Sequence, residues 1–232
     1  MIPISDDNPV RLTPYVTVAI IVACCVVYAW EFSLGSASDA VIGRIAFAPA
    51  GSVTPAGIPL LKTAAFETIV ISMFLHGGLL HIGGNMLYLW IFGNNVEDAM
   101  GHMKYTLFYF ACGFAAAFAM AWMDPTSHVP MIGASGAISG ALAAYVLLYP
   151  RARINVIVPL GIIFWPFKIG ATWVVGFWFV LQLISAAMAD PTQPGTAWWA
   201  HVGGFVAGLV LTPLLKSRDV PLFGRVHRGP WR

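Results

Sequence analysis

The chain alternates between long apolar runs and short gaps that carry glycine, proline or charge. Runs near residues 14–34, 72–93, 104–123, 134–150, 168–189 and 198–216 each approach the roughly 20 residues a helix needs to cross a hydrocarbon core. Six membrane-spanning helices are predicted. Asp124-Pro125, Asp190-Pro191 and Pro194-Gly195 punctuate the gaps. The connection over 35–70 is too broken to span and too apolar for a solvated linker, so it is expected in the interface. Residues 151–167 are apolar but interrupted by Pro159, Gly161 and Pro166, and are expected as a connection touching the membrane. The first run exceeds the apolar core of a signal peptide and reads as a retained helix. The expected layout is an all-α bundle: a cytoplasmic N-terminal segment (1–13), a six-helix membrane domain (14–216) and a basic cytoplasmic tail (217–232).

Composition agrees. Of 232 residues, 59% are hydrophobic and 9% charged, with a mean hydropathy of +0.78. Soluble domains carry about 25% charged residues. Lipid is therefore the expected solvent, in one polytopic domain. Charge placement sets orientation. With the N-terminus in the cytoplasm, only Arg44 and Lys62 of the 12 lysines and arginines fall outside, leaving ten inside. The tail after Lys216 then anchors on anionic lipid. No nucleic-acid partner is expected. Cys24, Cys25 and Cys112 lack the spacing of a disulfide framework or zinc knuckle and read as packing residues.

That topology places chemistry at one depth. Runs 2, 4 and 6 all head inward, so His76, His81, Asn85, Ser135 and His201 gather toward the outer side. Ser135, in GASGAISG (133–140), falls in a helix's first turn, where unpaired N–H groups and the positive dipole end can stabilise an oxyanion. Gly133 permits unusual backbone angles just before it. Gly136, Gly140 and Ala144 form a small-residue stripe, as do Ala200, Gly204 and Gly208, and such stripes allow close helix contact. Close contact of runs 4 and 6 would bring Ser135 to His201, a base within reach of a nucleophile. His81 and Asn85, four apart, share a helix face; they are either oxyanion donors or a satisfied interior polar pair. His76 lies five residues before His81, a poor chelating offset, and no metal or cofactor is expected. No acid lies near His201 in sequence, so a Ser–His dyad without an orienting aspartate is expected. His102, His128 and His227 read as loop residues.

FLHGGLLHIGGN (74–85), FGNNVEDAMG (92–101), GASGAISG (133–140) and AHVGGFVAG (200–208) together resemble the rhomboid intramembrane serine proteases, in order and spacing, over about residues 70–215. The resemblance implies a six-helix bundle with a water-filled cavity open to the outer face. It implies Ser135 as nucleophile, His201 as general base and then acid, and His81, Asn85 and the Ser135 N–H as oxyanion donors. It further implies that His76 organises the cavity and that Glu97 ties helix ends on the inner side. Trp173, Phe177, Trp178 and the loop 190–199 would form a substrate gate and cap. The sequence departs from some members at two points. It has no Trp-Arg pair in the first long loop, and Ser139 stands where a tyrosine stacks on the histidine.

The function expected is cleavage of transmembrane-helix substrates near the outer face, in a bacterial inner membrane. A catalytically silent relative that binds helices as a chaperone would be expected to lack the serine or histidine. A transporter would show inverted repeats or ionisable residues through the midplane. A zinc protease would show HExxH, which is absent from the sequence.

Overall fold

The computed structural model describes residues 2–50, 63–160, 163–189 and 196–224. In chain order the elements are β1 (Ile2–Asp6), α1 (Tyr15–Ser33), α2 (Ser38–Ile45), α3 (Thr63–Ser72), α4 (Leu79–Tyr88), α5 (Asn94–Met100), α6 (His102–Met123), α7 (Ser135–Leu148), β2 (Arg153–Leu160), β3 (Ile163–Gly170), α8 (Ala171–Met188) and α9 (Trp198–Leu215). Among the described residues, α1, α6, α8 and α9 are long and apolar enough to cross a membrane.

The second run is displaced from its predicted place at 72–93. The chain breaks after Ser72, and Gly78 adopts a positive φ before α4 begins. The helix then continues through a π turn (Leu89–Gly93) into α5 and ends only at Met100. Asn95, Glu97 and Asp98 looked like the start of a loop. They stay helical because the N-terminal segment satisfies them. The α1 N-terminus has no side-chain cap of its own. Glu97, fully buried, accepts the Val16 and Thr17 N–H groups at 2.9 and 2.8 Å and the Thr17 hydroxyl at 2.7 Å. A carboxylate at a helix N-terminus meets both the unpaired donors and the positive dipole end. His102 Nδ1 lies 2.6 Å from the same carboxyl, so this histidine opens α6 within the hydrogen-bond network of Glu97.

At the centre stands α7, with every residue from Ala137 to Tyr145 buried. Its glycines bring backbones together. A Cβ on Gly204 would fall on the Gly136 carbonyl, and one on Gly208 would fall on the Gly140 carbonyl. On the other side of α9, a Cβ on Gly203 would stand 3.0 Å from the Ala115 carbonyl oxygen of α6. Thus α9 is wedged between α6 and α7, backbone against backbone on the α7 side and with only the Ala119 methyl beside the backbone contact on the α6 side.

Two expectations need correction. The fold is not purely α, and residues 153–170 are not an irregular connection. They form the antiparallel hairpin β2–β3, and β1 adds to it as a third strand, pairing Ile2 with Ile157 and Asp6 with Ile154. Ile154 and Val156 are buried at alternating positions. This period of two covers only Arg153 to Val156, because the rest of β2, Ile157 to Leu160, is apolar at every position. Pro159 lies past the end of β1, and Pro166 lies on the edge strand β3. At both places one side of the strand needs no ladder partner. Cys25 is exposed, whereas Cys24 and Cys112 are buried. The stretch 51–62, most of the loop 190–199 (190–195) and the tail beyond 224, which includes His227, lie outside the described residues.

Polar groups also anchor β1. Asp6 accepts the Tyr145 hydroxyl hydrogen and Asn95 Nδ2 (3.0 Å), and Asn8 Nδ2 donates to Asn95 Oδ1 at 2.6 Å. Burial outweighs these donors and pushes the Asp6 carboxyl from 3.8 up to about 6. The folded state thus holds its proton more tightly than the unfolded chain does.

Two outcomes follow. Gly204→Ala, which drives a methyl onto the Gly136 carbonyl, lowers the thermal unfolding midpoint in detergent, with a cost on the order of 1–3 kcal/mol. Gly176→Ala on α8, with nothing within 4 Å, leaves the midpoint nearly unchanged. Equal midpoints for both would refute the close approach. Separately, the stabilising contribution of Asp6 is complete below pH 3.8 and fades as pH rises through about 6. Asp6→Asn flattens that part of the stability–pH curve, and an unchanged slope would count against a buried, protonated Asp6.

Candidate active site

Ser135 opens α7. Gly133, at φ +117°, turns the chain into the helix, and its N–H donates to the Ser72 carbonyl at 2.9 Å. The Ile138 N–H is bonded to the Ala134 carbonyl. The N–H groups of Ser135, Gly136 and Ala137 therefore have no acceptor within the helix. The serine hydroxyl sits beside these donors, at the positive end of the α7 dipole.

His201 lies in the first turn of α9, and its Nε2 stands 2.8 Å from Ser135 Oγ. The glycine contact between α7 and α9 produces this meeting, since it aligns the first turns of the two helices. Ser139, one turn after Ser135, points its hydroxyl back to the Ser135 carbonyl at 2.7 Å and offers the imidazole nothing. Two tryptophans flank the ring instead. Trp178 of α8 lies 5.9 Å away at 37°, and Trp198 lies 6.0 Å away, edge to face. The other ring nitrogen, Nδ1, is 2.7 Å from Gln182 Oε1 of α8.

His81 and Asn85 share the inward face of α4. The Gly77 N–H donates to His81 Nδ1 at 3.3 Å, which leaves the His81 proton on Nε2. That nitrogen faces Gly133: a Cβ there would stand 2.8 Å from His81 Nε2 and 3.4 Å from Asn85 Nδ2. Glycine at 133 therefore keeps open the space beside Ser135 into which both donors point. Asn85 Nδ2 is buried and meets no acceptor among the described residues. His81, Asn85, Ser135 and His201 line one cavity of about 760 Å³, with Tyr88 and Trp178 on its wall.

His76 sits behind this group. Its ring meets His81 edge to face at 5.2 Å, and its Nδ1 lies 3.1 Å from the Phe74 carbonyl. Its backbone N–H donates to the carboxyl of Glu31 at 3.1 Å. The four supporting glycines divide the labour: Gly133 leaves room beside Ser135, Gly204 and Gly208 set the α7–α9 distance, and Gly136 makes room for Ala116 of α6. Trp173 and Phe177 are exposed on the outer face of α8, away from the cavity.

Two residues of this neighbourhood escaped the sequence reading. Glu31 is a buried carboxyl at the end of α1, and Gln182 is a buried amide in an otherwise apolar α8. Each carried a signal, because a polar side chain inside an apolar run must find a partner.

A family model described as a Rhomboid domain matches residues 64–218. Among similar proteins, "Rhomboid protein 1, mitochondrial" of Saccharomyces cerevisiae is 29% identical over 62% of this chain and 40% of its own length. "Rhomboid protease AarA" of Providencia stuartii is 29% identical over 61% of this chain and 53% of its own length. "Rhomboid-type serine protease 2" of Emericella nidulans is 33% identical over 61% of this chain and 25% of its own length. The chain thus spans about half the length of these relatives, or less.

Gly133→Ala combines backbone strain at positive φ with a methyl against His81. It is expected to destabilise the fold by about 1–2 kcal/mol and to remove reactivity at Ser135 by filling the space beside it. Thermal unfolding and labelling by a serine-directed probe measure the two effects; a fully reactive variant would show that the space is not used.

Proposed function

This chain belongs to the rhomboid family, and on that premise we propose that it is an intramembrane serine endopeptidase. Its substrates are transmembrane helices cut near the outer membrane face. The observation that carries this reading is the 2.8 Å contact of Ser135 Oγ with His201 Nε2 beside the buried, unsatisfied donor of Asn85. A packing serine has no need of a base and an empty-handed amide on the same cavity.

The chemistry runs as follows. His201 Nε2 takes the hydroxyl proton as Ser135 Oγ attacks the scissile carbonyl. The oxyanion forms where Gly133 leaves room and accepts from His81 Nε2, Asn85 Nδ2 and the Ser135 N–H. His201 then protonates the departing amine, which leaves an acyl-enzyme. A water, deprotonated by His201, releases the second product.

Depth supports the substrate class. Fourteen residues of α7 rise about 21 Å, short of the roughly 30 Å hydrocarbon core. If its inner end lies near the inner face, Ser135 is recessed below the outer one, and the cavity supplies water there. A substrate helix hides its peptide bonds in its own hydrogen bonds, so it must unwind locally to be cut. Six spans with both termini inside, and a bacterial inner membrane, complete the proposal; α4–α5 and α7 supply the two spans beyond the four long helices. The competing reading is a helix-binding chaperone, which needs the cavity but not the serine–histidine contact.

A fluorophosphonate probe tests this without knowledge of the substrate. Wild-type protein in detergent is expected to label, and Ser135→Ala and His201→Ala are expected to lose labelling. Asn85→Ala slows labelling on the order of 100-fold. A folded wild type that does not label would favour the chaperone.

A further inference from the structure

We propose that Gln182 is the positioning residue for His201, fixing its tautomer and making the base dependent on the docking of α8. The proposal rests on the protease reading above. A neutral imidazole carries one proton on one of two nitrogens. His201 can accept from Ser135 only when Nε2 is bare, so Nδ1 must hold the proton and needs an acceptor. Among the described residues, the only polar groups bonded to the ring are Ser135 and Gln182.

The amide itself is held in one sense. Gln182 Nε2 donates to the Trp178 carbonyl, one turn back on α8, at 3.2 Å. That carbonyl can receive only the NH2 end of the amide. The oxygen is therefore the atom presented to His201 Nδ1, at 2.7 Å. Gln182 is 5% exposed in a helix with no other polar side chain between Trp173 and Leu183. A buried amide is costly unless bonded, and both of its ends are used. Trp178 and Trp198 flank the ring through ring contacts and not through hydrogen bonds to its nitrogens, so they do not choose the tautomer. A neutral acceptor also orients the base without adding a buried charge that would need its own partner.

The location of this acceptor has a consequence. Ser135 and His201 sit on α7 and α9, which are locked by glycine contacts. Gln182 sits on α8, whose outer face carries the exposed Trp173, Phe177 and Leu181. Displacement of α8 from α9 would leave Ser135 and His201 in place but remove the acceptor from Nδ1. The base is competent while α8 is docked.

The test uses the full chain in detergent and a fluorophosphonate probe, separating the limiting labelling rate constant from the probe affinity. Gln182→Met keeps volume and loses the acceptor. It is expected to lower the limiting rate constant about 100-fold, with probe affinity and unfolding midpoint close to wild type. Gln182→Glu restores an acceptor and recovers most of the loss. A Gln182→Met variant as fast as wild type overturns the proposal. So does an equal loss in both variants with a lowered midpoint, which would mark a packing role. Should both variants fail to fold, nitrogen-15 spectra of wild type labelled at histidine decide: a proton on Nδ1 of His201 supports the proposal, and a proton on Nε2 overturns it. Failure of wild type to label, by contrast, sinks the protease reading itself.

Discussion

The distance between α7 and α9 governs the rest of the molecule. Two helices normally stand 8–10 Å apart because side chains fill the space between them. Here Gly136 and Gly140 face Gly204 and Gly208, and the backbones themselves touch. Only that approach lets a serine at the start of one helix reach a histidine at the start of the other without help from a long loop. The cavity, the space beside Ser135 and the flanking tryptophans are all built outward from this contact. A methyl group is enough to open it, so packing and the proposed chemistry cannot be varied independently.

A second constraint is the satisfaction of a few buried polar groups in an apolar chain. Glu97 closes the start of α1 from a helix more than 80 residues away in sequence. Glu31 at the other end of α1 receives the His76 N–H beside the site. Asp6 and Asn95 tie the N-terminal strand to α5 and α7. Each carboxyl is placed where backbone or hydroxyl donors converge, since a buried charge without such donors would cost several kcal/mol. These ties give residues 2–15 a fixed place under the bundle instead of leaving them as a loose tail.

The parts of the fold that could be read in the sequence are those where local pattern and tertiary environment agree. The four long helices and α7 follow directly from apolar run length. The small-residue stripes foretold the α7–α9 contact, and with it the meeting of Ser135 and His201. The second run was misplaced because hydropathy ends where Asn94–Asp98 begin, whereas the helix ends where its partners end. The hairpin was not legible because the second half of β2, Ile157 to Leu160, is apolar at every position, so its period of two did not stand out. The polar Gln182 in an apolar run signals that it needs a partner, but its local sequence does not say that the partner is His201.

Sequence alone determined the solvent, the number and order of apolar runs, and which residue types could carry acyl transfer. These depend on composition and on spacings within single helices, which the chain fixes before it folds. Tertiary structure decided which nitrogen of His201 faces Ser135, which side chain meets the other nitrogen, and where His81 and Asn85 converge beside Gly133. Those are relations between α4, α7, α8 and α9. Their geometry is set by contacts between helices that no single helix contains.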